Sequence, residues 1–344
     1  MARLAEYSIT DFHIYPPVGT DDWRYAFATA RVKALETQLL AGSTIEDMTN
    51  ARGFEEAAEL LAGGEYALPQ DKNRFAELQN LLQERRTAVR RLFSDLCIDK
   101  SIVKLFRSRD DFANLRLAVR RAVTDRPIGE DYSPDGNVPP DMYEQIFKEE
   151  KYELFPDYMQ NAIERAVLDY YDDKDIRQID YAIDAVQAEY NLSEARRLKS
   201  QFLLGLFKIQ IDLNNLKTIL RVKFTEADRR NVFLAGGYLQ TERFQKALEL
   251  DYKAIAGLFY ASPYYSLIEE GSAYLADENS FLKIEQLCDR HLAGFLRTGR
   301  QITAGPQPVI AYFLMKENEI RTVRLILTAK RNNLESKLIL DRVA

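Results

Sequence analysis

The sequence has few of the residues that build metal centres and disulfide frameworks. It contains two cysteines, Cys97 and Cys288, and two histidines, His13 and His291, among 344 residues. No C-x-x-C or H-x-x-x-H spacing occurs, which argues against the common structural zinc sites and a disulfide scaffold. The sparse thiols are typical of a reducing compartment. We therefore expect no metal site, no cofactor and no catalytic histidine or cysteine set.

Long apolar runs and an excess of one charge are also missing. The longest apolar run, 309–315, has about seven residues, whereas a membrane-spanning helix needs about 20. Residues 1–22 have no apolar core of a signal peptide. Lys and Arg number 47 against 53 Asp and Glu, a net charge of −6, which argues against a nucleic-acid partner. Any membrane role is expected to be peripheral.

Glycine and proline are scarce, at 15 and 11 residues, and most of the remaining sequence has the periodicity of helix. Leu213, Leu216 and Leu220 fall on a single stripe with helical spacing. Residues 158–171 show a similar stripe, and few stretches alternate with a period of two residues. We therefore predict an all-α protein.

One motif, which joins an acidic, a small polar, an aliphatic and a basic residue, occurs three times. Its copies are 101 and 107 residues apart, and a second pattern around Asp184 and Asp289 repeats at an offset of 105 residues. Repetition of two patterns at similar offsets predicts three structurally similar helical units. The copies are Asp111-x-x-Asn114-Leu115-Arg116, Asp212-x-x-Asn215-Leu216-Lys217 and Glu319-x-x-Thr322-Val323-Arg324.

Breaks rich in glycine and proline give the predicted boundaries of these units. Residues 126–140 contain six such residues, Gly236 and Gly237 mark a further turn, and 298–308 is predicted to be a loop. The predicted parts are an N-terminal extension 1–22, unit 1 at 23–126, a linker at 127–140, unit 2 at 141–232 and unit 3 at 233–344.

In each predicted unit the early helices are acidic and the last helix is basic. Residues 164–184 hold seven acids and three bases, whereas 217–230 hold five bases and two acids. Two interpretations remain open. The opposite charges can pair within a unit, where exposed pairs add little stability, or the basic helices can bind a common partner.

One acidic cluster has the composition of a magnesium site. Asp169, Asp172 and Asp173 resemble the aspartates with which helical enzymes bind Mg²⁺ and diphosphate. Such a site needs a second acidic motif on a facing helix, and the sequence contains no convincing one. The favoured interpretation is a solvated helix end, and no catalytic constellation remains.

The repeated motifs resemble those of a known family. Residues 212–223 are similar to the signature helix of the C-subunit family of the V-type/A-type ATPase (ATP synthase) central stalk, whose eukaryotic members are called d subunits. The turn at 233–239 and the segment 25–33 also match the family pattern. Ala235 departs from it, because many members have proline there.

The resemblance implies an all-α protein of three similar domains in a pseudo-threefold, funnel-shaped arrangement, without catalytic activity. It implies one copy per complex, monomeric when isolated, peripheral on the cytoplasmic face of the membrane. There it would join the central shaft, made of the D and F subunits, to the membrane proteolipid ring and transmit rotation. The alternative is a generic α-helical repeat scaffold.

The basic residue of each motif copy is our candidate for binding the shaft. Arg116, Lys217 and Arg324 recur at one position of the three units, and Arg120 and Arg221 are equivalent neighbours in two of them. The other possibility is that each base pairs with an acidic helix of its own unit.

Overall fold

The structure is a computed structural model that describes residues 15–68, 74–124, 131–225 and 232–343. These ranges contain fifteen α-helices, three short 3-10 helices and no strand. The predicted all-α class is therefore confirmed. Residues 1–14 of the predicted N-terminal extension, with His13, lie outside the described residues. So do 127–130 of the predicted linker and the side chain of Asp173.

The helices are numbered in chain order. They are α1 Ala26–Glu36, α2 Gly42–Asn50, α3 Phe54–Glu59, α4 Arg74–Leu96, α5 Lys100–Val123, α6 Pro140–Glu149, α7 Asp157–Asp173, α8 Ile176–Arg197, α9 Gln201–Thr225, α10 Thr241–Leu248, α11 Tyr252–Ile255, α12 Tyr265–Glu278, α13 Leu282–Gly299, α14 Pro306–Arg331 and α15 Ser336–Val343.

The chain divides into two compact units. Of the described residues, the first contains 15–17 and those within Asp99–Asp251, and the second contains those within Val18–Ile98 and 252–343. These boundaries differ from the predicted ones, because Asp99–Asp251 contains parts of all three predicted units. The second compact unit joins the beginning of the chain to its end. The division into three similar units stays a prediction.

The first compact unit has its core between α5, α6, α7 and α8. Tyr143, Met159 and Ile183 are completely buried there. Helix α7 ends at Asp173, and the next residue, Lys174, has a left-handed φ of 55°. Asp175 then caps α8 by accepting the N–H of Arg177 at 3.0 Å. This two-residue turn brings α7 back along α8 as an antiparallel hairpin.

Helix α9 is buried on nearly every side within the first unit. It spans 25 residues, and apolar side chains such as Leu203, Leu206 and Ile209 cover more than one of its faces. A helix that is apolar all round belongs in a core. Asp212 and Asn215 are nevertheless fully buried in α9, so their polar atoms need partners inside the protein.

Helix α14 is the centre of the second compact unit. It spans 26 residues, and α1, α3, α4 and α13 pack against it. Phe313 stacks on Phe93 of α4 with 4.3 Å between ring centroids. The loop predicted at 298–308 is shorter than expected, because α13 continues to Gly299 and Pro306 begins α14. Proline suits this first helical position, where its missing N–H costs no hydrogen bond.

Candidate partner-binding residues

The three copies of the repeated motif lie on the three longest helices, α5, α9 and α14. Their acidic residues, Asp111, Asp212 and Glu319, are all buried. A buried carboxylate is stable only when hydrogen bonds or opposite charges surround it. The partners of these three acids therefore show what the motif does.

Asp111 holds the start of α6 to the middle of α5. Its Oδ1 atom accepts the backbone N–H groups of Asn137 and Val138 at 2.8 and 3.0 Å. Its Oδ2 atom accepts the Tyr158 hydroxyl at 2.6 Å. Burial, together with the nearby Asp111 charge, raises the pKa of Tyr158, so that its hydroxyl stays protonated and donates. We use the name carboxylate clamp for this arrangement, in which the acidic residue of a motif accepts a hydrogen bond from a backbone N–H group.

Asp212 forms the same clamp one repeat later. Its two carboxylate oxygens accept the N–H groups of Tyr238 and Leu239 at 3.0 and 3.2 Å. Each residue of this clamp lies 101 positions after its counterpart around Asp111. Asn215 exchanges two hydrogen bonds with the backbone of Leu234, both 2.8 Å long.

The small polar residue of the first motif acts in the same way. Asn114 donates to the Ser133 carbonyl at 2.9 Å and accepts the Ser133 N–H at 2.8 Å. Asparagine can do this because its side chain carries both a donor and an acceptor. The motif thus fixes the loop that leads into the following short helix.

Glu319 forms the third clamp with a segment from the beginning of the chain. Its Oε2 atom accepts the Leu40 N–H at 2.7 Å, and its Oε1 atom accepts the Tyr66 hydroxyl at 2.7 Å. Leu40, Val138 and Leu239 each lie two residues before a helix, namely α2, α6 and α10. The acid therefore has the same structural task in all three motif copies. The repeat pointed to these acids, but their role as backbone acceptors was not predicted.

The predicted shaft-binding bases Arg116 and Arg120 take part in ion pairs inside the first compact unit. Arg116 on α5 lies 3.3 Å from Asp180 of α8 and also pairs with Asp184. Arg120 pairs with Asp180 as well. Burial raises the pKa of Asp184 even though the positive charge of Arg116 acts to lower it. Arg116 and Arg120 therefore pair with an acidic helix, but that helix lies in predicted unit 2, whereas the two bases lie in predicted unit 1, so this is not pairing within one predicted unit.

The other three predicted bases differ in their surroundings. Lys217 is half-buried on α9, and Arg221 is exposed near the end of the same helix. Arg324 is exposed on α14 in the second compact unit. Among the described residues it has no hydrogen-bond or ion-pair partner, so its charge is available to a binding partner.

The acidic cluster that resembles a magnesium site lies at the end of α7. Asp172 is exposed and Asp169 is half-buried at the end of α7, while the side chain of Asp173 is outside the described residues. In the described ranges, no three His, Cys, Asp or Glu side chains are placed to hold a metal ion. Cys97 and Cys288 are buried free thiols.

His291 is a half-buried histidine on α13. Its ring lies 5.1 Å from that of Tyr264, measured between centroids. Burial lowers its pKa from 6.5 to about 4, so that the imidazole is neutral at pH 7.

The helices also differ from those that enter membranes. Within the part of the chain that the structure describes, every helix is too short or too polar to traverse a lipid bilayer.

Comparison with known proteins identifies the family. The chain is 22% identical over 320 residues to the C subunit of the V-type sodium ATPase of Enterococcus hirae, a match that covers 91% of this chain and 95% of that protein. It is 21% identical over 340 residues to the C subunit of the A-type ATP synthase of Methanococcoides burtonii, with 93% and 94% covered. The family described as ATP synthase (C/AC39) subunit matches residues 28–342. The chain, with its three motif-bearing helices, therefore belongs to the ATP synthase (C/AC39) subunit family.

Proposed function

We propose that this protein is a non-catalytic rotor subunit of a V/A-type rotary ATPase. In this role it joins the central shaft, made of the D and F subunits, to the membrane proteolipid ring and transmits rotation for ion transport or ATP synthesis. It is peripheral, on the cytoplasmic side of the membrane, with one copy in each complex. The observation that carries the proposal is the family match over 28–342, nearly the whole chain.

The internal construction of each compact unit suits a part that transmits force. Helices α5, α9 and α14 are 24, 25 and 26 residues long. Carboxylate clamps fasten each of them to the start of a short helix. Dense packing around large aromatic side chains such as Phe112 and Phe202 leaves little room for deformation. Stiffness of this kind is what a mechanical joint requires.

The two partners need different kinds of contact. We propose an extensive and permanent contact with the ring and a more polar, reversible contact with the shaft. A large apolar interface with the shaft would be costly to break each time the shaft dissociates. Arg324 is the predicted base that best fits the shaft contact, since it is exposed and has no intramolecular partner among the described residues.

Co-purification tests the proposed function. The tagged chain, expressed with the other subunits, should purify with D, F and the proteolipid. A generic helical scaffold would not recover these partners, and that result would refute the proposal.

Charge reversal tests the shaft-binding bases. Pull-down of the D–F pair by the chain should weaken about tenfold for Arg324→Glu and further for the triple reversal of Arg116, Lys217 and Arg324. Arg91→Glu is the matched control, because Arg91 is an exposed base on α4 of the same compact unit, with no partner among the described residues. Unchanged binding of a folded triple variant would show that these bases do not form the shaft contact.

A further inference from the structure

The beginning of the second compact unit presents two large aromatic side chains to solvent. Trp23, the single tryptophan of the chain, is 67% exposed, and Phe27 is 75% exposed. They lie four residues apart, so they share one side of α1 and the turn before it. Neighbouring exposed aromatics are typical of protein-binding surfaces, where tryptophan contributes much of the binding energy.

The same side of α1 continues as a row of small residues. Ala30 and Ala34 follow Phe27 at helical spacing, and both are exposed. Alanine leaves the helix backbone accessible, so that a second helix can approach closely, while the aromatic pair fills the wider space beside it. We define Trp23, Phe27, Ala30 and Ala34 as the α1 face.

The opposite side of α1 is firmly held in the second compact unit. Tyr25 is completely buried, with its hydroxyl 3.6 Å from Sγ of Cys97. The Thr29 hydroxyl accepts the Gly305 N–H at 3.1 Å, and the Asp22 N–H donates to the Ala304 carbonyl at 2.7 Å. The α1 face is therefore ordered before any partner binds, which lowers the entropy cost of binding.

Along α1 itself, the rim of the α1 face is basic, and before this helix Asp22 is paired with Arg24. Arg31 and Lys33 are exposed, and neither has a hydrogen-bond or ion-pair partner among the described residues. The one acid of α1, Glu36, is already engaged by Arg300 at 2.8 Å. This local positive charge contrasts with the net charge of −6 for the whole chain. A binding partner should therefore carry acidic residues beside its apolar stripe.

We propose that the α1 face binds an acidic amphipathic helix of the central shaft. This inference rests on the proposed function. Of the two partners named there, the shaft fits better, because two aromatic anchors with a charged rim make a small and polar contact. The permanent contact assigned to the ring requires a larger apolar area.

Two other occupants fit the α1 face less well. A second copy of this chain, placed on it with twofold symmetry, would bring Arg31 and Lys33 against their own counterparts. A membrane surface would gain little, since beyond Trp23 and Phe27 the face offers only alanine, and binding to lipid increases with the apolar area buried.

Fluorine labelling provides the direct test. The full chain, labelled with 5-fluorotryptophan, has a single ¹⁹F resonance from position 23, because Trp23 is the only tryptophan. Adding the unlabelled D–F pair should shift this resonance and protect it from a soluble paramagnetic quencher. Adding the detergent-solubilised ring alone, or vesicles of neutral and anionic phospholipid, should leave it unchanged.

Variants test the energetic contribution of the α1 face. Trp23→Ala with Phe27→Ala should weaken binding of the D–F pair about tenfold or more. Leu168→Ala with Tyr171→Ala is the matched control, because these side chains are also 58% and 56% exposed, but lie on α7. Arg31→Glu with Lys33→Glu should weaken binding as well, and this loss should become smaller at high salt.

Different results would refute the role of the α1 face and the proposed function of the protein. A chain that assembles with shaft and ring while position 23 stays accessible to the quencher refutes the α1 face and leaves the proposed function intact. Protection by vesicles, by the ring or by self-association also refutes it. A chain that does not join the complex at all refutes both proposals.

Discussion

The Oδ1 atom of Asp111 accepts the backbone N–H of Val138 at 3.0 Å, and this contact joins two parts of the chain 27 residues apart. The same relationship recurs between Asp212 and Leu239 at 3.2 Å, and between Glu319 and Leu40 at 2.7 Å. In each case a long helix fixes the start of a short one. The acidic position of the repeated motif is therefore structural.

Removal of a clamp acid should destabilise the first compact unit. Asp111→Ala leaves the N–H groups of Asn137 and Val138, the second of them buried, without their acceptor, so we expect the free energy of unfolding to fall by about 3 kcal/mol in chemical denaturation. Asp172→Ala, which removes an exposed carboxylate, should change it by less than about 0.5 kcal/mol. Equal effects of the two substitutions would contradict the clamp.

A methyl group at the second clamp should also destabilise the first compact unit. A Cβ at Gly237 would overlap Oδ1 of Asp212 and lie 2.9 Å from its Cγ. Gly237→Ala should therefore lower the midpoint of thermal unfolding, with a loss of about 2 kcal/mol or more. Gly42→Ala is the control, since a Cβ there meets no atom within 4 Å, and it should be neutral or slightly stabilising.

The pairing of Arg116 with Asp180 should be measurable by a double-mutant cycle. These side chains are 29% and 26% exposed, and we expect a coupling free energy of about 1 kcal/mol between them. It is obtained from the free energies of unfolding of the wild type, the two single alanine variants and the double variant. The more exposed pair Arg165–Glu189, at 43% and 59%, should give about 0.3 kcal/mol. Coupling no larger in the first pair than in the second would show that the contact between Arg116 and Asp180 does not stabilise the fold.

The ion pair beside the third clamp should be costly to break on one side. Lys316 is 2% exposed and lies 2.6 Å from Glu319. Lys316→Met leaves that buried carboxylate without its cation, and the free energy of unfolding should fall by about 3 kcal/mol. Lys337→Met removes a 63% exposed lysine from its pair with Glu278 and should leave the free energy of unfolding nearly unchanged. A cost for Lys316→Met as small as for Lys337→Met would refute this prediction.

Acid should destabilise the second compact unit through His291. Its folded pKa of about 4 lies below the unfolded value of 6.5, so the unfolded chain binds the proton first. This contribution to stability is complete above pH 6.5 and is lost as the pH falls towards 4, by at most about 1.4 kcal/mol per pH unit. Urea titrations between pH 7 and 5 should show a shallower decline for His291→Phe than for the wild type. If the wild type and the variant lose the same free energy of unfolding over this pH range, His291 does not contribute to the acid sensitivity.

Local patterns were sufficient for some features of this protein. Hydrophobic spacing predicted helix around Leu216, and α9 is the result, because amphipathic periodicity depends only on near neighbours in sequence. The repeated motif likewise marked Asp111, Asp212 and Glu319 before their contacts were known. The predicted turn at Gly236 is present, with a left-handed φ of 94° that glycine adopts without strain.

The amino-acid sequence thus determined the helical class, the positions of the clamp acids and the family resemblance, since these depend on patterns along the chain. Tertiary structure alone decided that Glu319 contacts Leu40, 279 residues away, and that Arg116 pairs with Asp180. It also decided that Phe27 is exposed while Tyr25 is buried, although both are aromatic residues of the same segment. Burial and pairing depend on which helices meet in space, and that outcome is set by the packing of distant segments.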